Sequence, residues 1–97
     1  VINIGVKNIK VSEFQVALNY PNPFTGKTEI GVTLSRTSNV SVKVNDLIGR
    51  QVLEVPAQTY SAGDIIIPVN AASLTKGVYT YTVNVNGSSI TKKMIVK

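Results

Sequence analysis

The side chains that most often carry out chemistry are scarce in this chain. It has no histidine and no cysteine, which removes the commonest general base and the best thiol nucleophile. The carboxylates are Glu13, Glu29, Asp46, Glu54 and Asp64, widely separated and without the spacing of a calcium loop. Backbone carbonyls are the one remaining source of a calcium site. A serine–lysine pair is formally available, but hydroxyls on β-strands are usually surface residues. Lacking cysteine, the chain can build neither a disulfide framework nor a thiolate metal site, and this is neutral about compartment. The expectation is a protein without catalysis, metal or cofactor.

Lysine and tyrosine are left as the groups for binding. Eight lysines and two arginines against five acids give a net charge of +5. Such a balance attracts nucleic acid, acidic polysaccharide or an anionic membrane surface. Lys7, Lys10, Lys27, Lys43 and Lys76 are scattered, however, as suits solubility and the blunting of sheet edges. Only Lys92, Lys93 and Lys97 cluster. No nucleic-acid motif accompanies the charge, so neither nucleic acid nor a small-molecule substrate is expected. Tyr60, Tyr79 and Tyr81 offer faces on which a sugar ring would stack. Tyr79 and Tyr81 alternate in phase with Val83 and Val85, which makes that face the expected core, and tryptophan is absent.

The elements that must position these groups are strands. Apolar residues make up 43% of the chain and charged ones 15%, far from the composition of disorder. Val, Ile and Thr dominate, and β-branched side chains suit a pleated surface. The longest apolar runs are a few residues, as in Ile65-Ile66-Ile67, far below the roughly 20 residues of a membrane-spanning helix. Strands are expected at Glu13–Leu18, Thr28–Leu34, Val40–Asn45, Gln51–Val55, Ile65–Val69, Val78–Asn86 and Ser88–Lys97. Pro21 and Pro23 make a stiff, extended exit from the first strand, and Pro56 marks an edge or a bulge. Ile48-Gly49-Arg50 is a tight connection, and Asn86-Gly87 is the strongest hairpin signal. Asn70–Lys76 is expected to form one helical turn. The last strand needs a bulge near Lys92-Lys93 to bring its apolar residues into one phase. Seven short strands joined by turns predict an all-β, immunoglobulin-like antiparallel sandwich. Residues 1–13 read as a linker or leading strand, and with no initiator Met the whole reads as part of a longer protein.

Four short segments follow one another in a telling order: Tyr20-Pro21-Asn22-Pro23, then Gly49-Arg50, then Gly77-Val78-Tyr79, then Lys92-Lys93-Met94-Ile95-Val96-Lys97. Over roughly residues 14–97 the series resembles the C-terminal sorting domain (type A) of the type IX secretion system of Bacteroidota. The resemblance implies a signal that directs a cargo protein through the periplasm and across the outer membrane to the cell surface or the medium. Its implied partners are the type IX translocon, shuttle components and a surface sortase-like cysteine protease that removes the domain. Within that picture the terminal edge strand suits recognition. Its backbone can pair with a partner strand, while Lys92, Lys93 and Lys97 select orientation by charge. Gly77 and Tyr79 would shape the hairpin beneath it. Tyr20, Pro21, Asn22, Pro23, Gly49 and Arg50 are expected to be mainly structural. The same edge would also let two copies pair as a homodimer. The rival reading is an immunoglobulin-like adhesion or carbohydrate-binding module of a secreted enzyme, dependent on its tyrosines.

Overall fold

Period-two alternation is the pattern this chain obeys most closely. The computed structural model describes residues 14–97, so the expected linker at 1–13 lies outside the described residues. The strands are β1 (Phe14–Val16), β2 (Lys27–Leu34), β3 (Ser38–Asn45), β4 (Gln51–Tyr60), β5 (Gly63–Asn70), β6 (Gly77–Val85) and β7 (Ser88–Val96). They form two antiparallel sheets, ordered β1-β2-β5 and β4-β3-β6-β7. Ile30, Val32 and Leu34 of β2 face Val40, Val42 and Val44 of β3, with Ile67 and Val69 of β5 and Tyr81, Val83 and Val85 of β6 completing the buried layer. Every one of these residues sits in phase with its neighbours on the strand, so burying one places the others. The all-β sandwich of seven strands is what the alternation predicts.

Several local expectations hold in detail. Asn86 and Gly87 take φ of 50° and 94°, the left-handed pair of a two-residue hairpin turn that joins β6 to β7. The register between β3 and β4 slips between Val40, opposite Gln58, and Val42, opposite Val55, so the bulge falls at Pro56-Ala57 on an edge strand. Because the bulge absorbs the proline, β4 continues to Tyr60 instead of stopping at Val55.

Three expectations are corrected. The first strand is short: β1 ends at Val16, and Leu18 is 58% exposed while Asn19 is buried. Asn70–Lys76 forms no helix. The Asn70 side-chain oxygen accepts the Ala72 amide at 3.1 Å and Leu74 N–H reaches Ala71 O at 3.0 Å, so a side chain competes for the backbone and a single turn results. Finally, β7 carries no bulge. Its register with β6 runs unbroken from Gly77 opposite Val96 to Val85 opposite Ser88. Lys92 simply occupies an inward-phase position at the open edge, where a long stem can lie along the sheet and its amine reach water.

The incoming chain is pinned to the opposite sheet by one phenol. Tyr81 is fully buried, its hydroxyl accepts the Asn19 amide at 3.0 Å and donates to Ala17 O at 3.3 Å. Asn19 Nδ2 in turn donates to Thr28 Oγ1 at 3.0 Å and to Pro21 O at 3.2 Å, and Thr28 Oγ1 donates to Pro21 O at 2.8 Å. This polar knot sets the course of the proline-rich segment.

Candidate recognition surface

The registers bring the four motif segments to one end of the sandwich. Asn45 lies opposite Thr80, and Thr80 opposite Lys93, so the hairpin tip beyond Asn45 lies beside the start of β6 and the end of β7. Phe24 makes a parallel bridge to Val96, which draws the proline-rich segment to the same place. The opposite end carries Phe14, paired with Leu34, together with the Ser61-Ala62 and Asn86-Gly87 turns. Chain entrance and motif end are therefore separated by the length of β2, roughly 25 Å at 3.3 Å per residue.

Tyr20–Phe24 works as a strap over the terminal strand. Phe24 is buried, its amide donates to Ile95 O at 3.0 Å, and its carbonyl accepts the Lys97 amide at 2.9 Å. Asn22 Oδ1 accepts the Ile95 amide at 2.9 Å. In an antiparallel strand the outward groups belong to alternate residues. Ile95 is capped, so the open part of the β7 edge is made by Ser89, Thr91 and Lys93, beside which no described strand lies. The sequence marks this segment by its two prolines, but Phe24, Asn22 and Asn19 do the fastening.

The predicted recognition residues divide by burial. Tyr79, Met94 and Val96 point into the core, whereas Gly77, Lys93, Ile95 and Lys97 are exposed and Lys92 is half-buried. Lys92 and Lys93 stand on opposite faces of β7 and Ile95 shares the outer face with Lys93. Tyr79 donates to Thr75 O at 2.7 Å, which ties the loop before β6 to the strand; Gly77 there has φ of 154°, a conformation that disfavours any residue with a Cβ. Of the residues expected to be mainly structural, Tyr20 is 80% exposed and Pro21 and Pro23 are also on the surface.

Gly49 and Arg50 complete a tightly bonded tip between β3 and β4. Asp46 Oδ1 accepts the amides of Ile48 at 3.0 Å and Arg50 at 2.9 Å, while Oδ2 pairs with Arg50 Nε at 2.9 Å. The donated Arg50 amide, more than any other contact, holds the Asp46 carboxyl below the usual aspartate range, with the guanidinium and the Ile48 amide adding to it. Gly49 sits at φ of 97°, as the return of the chain requires. Tyr79 and Tyr81 lie in the core and present no face to a sugar ring. No group of acids or other metal-ligating side chains gathers among the described residues.

Residues 19–97 match the family described as the secretion system C-terminal sorting domain. The chain belongs to this family. The match begins at Asn19, the residue from which the strap departs, and spans every segment that meets at the motif end. No curated protein matches the chain. Among solved structures it is similar to dimeric latent PorU from Porphyromonas gingivalis, with a TM-score of 0.67 and 22% identity over 89% of this chain and 10% of that one. That likeness shows the sandwich fold, and the chain spans about a tenth of the PorU chain. As a member of the family the chain is a sorting signal for type IX secretion, which implies export to the cell surface or into the medium. A signal of this kind is not itself catalytic.

Proposed function

We propose that this sorting domain, of type A, presents its motif end to the type IX translocon while the cargo hangs from the opposite end. The observation that carries the reading is the separation of the two ends: Phe14 emerges beside Leu34, whereas Lys97 is strapped to Phe24. Residues 1–13 then act as the linker to the cargo. Transit runs through the periplasm, and a surface sortase-like cysteine protease cuts within or before that linker. Contact at the terminal strand comes from Lys92, Lys93, Ile95 and Lys97 and from the open backbone at Ser89, Thr91 and Lys93. Gly77, Tyr79, Met94 and Val96 support it from beneath. The same open stretch accommodates a second copy, in keeping with the dimeric state named for latent PorU.

Deleting residues 92–97 would strip Met94 and Val96 from the core and test folding instead of recognition. The informative experiment fuses residues 1–97 behind a periplasmic reporter in a type IX host and reverses Lys93→Glu with Lys97→Glu. Surface delivery is expected to fall by about tenfold or more, the scale of a lost charged contact. The melting temperature of the isolated domain should be unchanged. Undiminished delivery would remove recognition from the terminal strand.

A further inference from the structure

Leu47 and Ile48 are adjacent, 70% and 81% exposed, and stand at the tip of the β3–β4 hairpin. The turn that holds them does not need them. Asp46 binds the Ile48 and Arg50 amides, Gly49 N–H reaches Asp46 O at 3.0 Å, and Asp46 N–H reaches Arg50 O at 2.9 Å. Polar residues at 47 and 48 would leave every one of these bonds in place. Loop tips are ordinarily polar. Here two large apolar side chains are held in water by a turn stiff enough to avoid an ordering cost on binding, which is the character of a preorganised anchor.

We infer that the Leu47–Ile48 tip is an apolar anchor that enters an apolar pocket with a carboxylate rim on a protein of the export machinery. This rests on the sorting reading above. The rim follows from charge. Lys76, Lys93 and Lys97 lie at this end with no acid paired to them among the described residues, and β7 runs two strand spacings, about 10 Å, from β3. The one acid at the tip, Asp46, is already bound to Arg50. An anionic bilayer would satisfy the same charges, but β4 leaves the tip as an edge strand with a row of outward backbone groups. Hydrocarbon leaves such groups unpaired, whereas a protein can bond them.

The test uses the reporter fused to residues 1–97 in a type IX host, with Leu47→Ser and Ile48→Ser combined, Leu47→Met and Ile48→Val combined, and Ala62→Ser at the opposite end. The serine pair is expected to lower surface delivery by about tenfold or more, as a lost anchor does, with reporter retained inside the cell. The Met/Val pair and Ala62→Ser should export normally, and the serine pair should melt like the parent domain. Equal delivery by parent and serine pair overturns the anchor. Failure of the parent itself to export overturns the sorting reading instead. In a second arm the purified chain is sedimented with phosphatidylglycerol vesicles. Sedimentation that the serine pair abolishes would assign the tip to the membrane and overturn the protein pocket.

Discussion

Tyr81 joins β6 to the segment that follows β1 through one oxygen. Its hydroxyl serves Asn19 N–H and Ala17 O inside the protein, so Tyr81→Phe leaves a buried amide without an acceptor. Such a loss costs about 1–3 kcal/mol, and for a domain of this size each kcal/mol lowers Tm by roughly 4–8 °C. Calorimetry of the variant checks this. Burial pushes the Tyr81 phenol above its usual range, against the smaller pull of the Asn19 amide. The native state therefore favours the protonated form. The stability this provides is complete below about pH 10, the ordinary tyrosine value, and is lost as pH rises through the higher native value. Alkaline unfolding should accordingly begin at lower pH in the parent than in Tyr81→Phe when each is referred to its own neutral-pH stability, and ultraviolet titration should show one phenol ionising late. Asp46 has the opposite sign. Its lowered native value keeps the tip ordered above about pH 4, and the order is lost as pH falls through that lower value. A carboxyl NMR titration should find Asp46 below the ordinary aspartate value.

At the level of elements, the strap and the terminal strand form one unit. Asn22→Ala removes the acceptor of the Ile95 amide and should cost about 1 kcal/mol, the net worth of a hydrogen bond. Hydrogen exchange should show the Ile95 amide losing protection while that of Met94, turned toward β6, keeps it. The strands themselves were legible from sequence because alternation is local: the buried faces of β2, β3, β5 and β6 follow from it, although β3 and β5 each begin two residues earlier than expected, and Asn86-Gly87 announced its own turn. The strap was not. Asn22 and Ile95 are 73 positions apart, and nothing in a proline-rich segment says which strand its neighbours will cap. The supposed helical turn failed for a related reason, since Asn70 bonds Ala72 and preempts the helix. The bulge at Lys92-Lys93 is expected only if Ile95 must join Ile90, Met94 and Val96 on one face, whereas the unbroken register leaves Ile95 exposed on the outer face. Of the residues proposed for recognition, the sequence singled out the terminal lysines but read Ile48 only as part of a tight connection, because exposure at a hairpin tip is set by a turn rather than by hydropathy.

For the whole molecule, the two ends should tolerate change differently. A short Gly-Ser insertion between Ser61 and Ala62, at the end where Phe14 emerges, should leave surface delivery intact. The same insertion between Leu47 and Ile48 should abolish it while the purified domain still gives a β-sheet circular dichroism spectrum. The arrangement of the ends has a mechanical consequence as well. β1 runs from the Phe14 end toward the strap, and β7 runs from the Asn86-Gly87 turn to Lys97, so a pull between Phe14 and Lys97 drags each terminal strand lengthwise along its neighbour. Loaded this way, the rungs of a ladder share the force and must break together, whereas a strand peeled from one end loses them singly. Resistance to tension is governed by the unfolding rate rather than by equilibrium stability. A handle gripped at one end and towed from the other is thus oriented to stay folded under load, and pulling through Phe14 and Lys97 should demand more force than pulling through Asn86 and Phe14, which lie together.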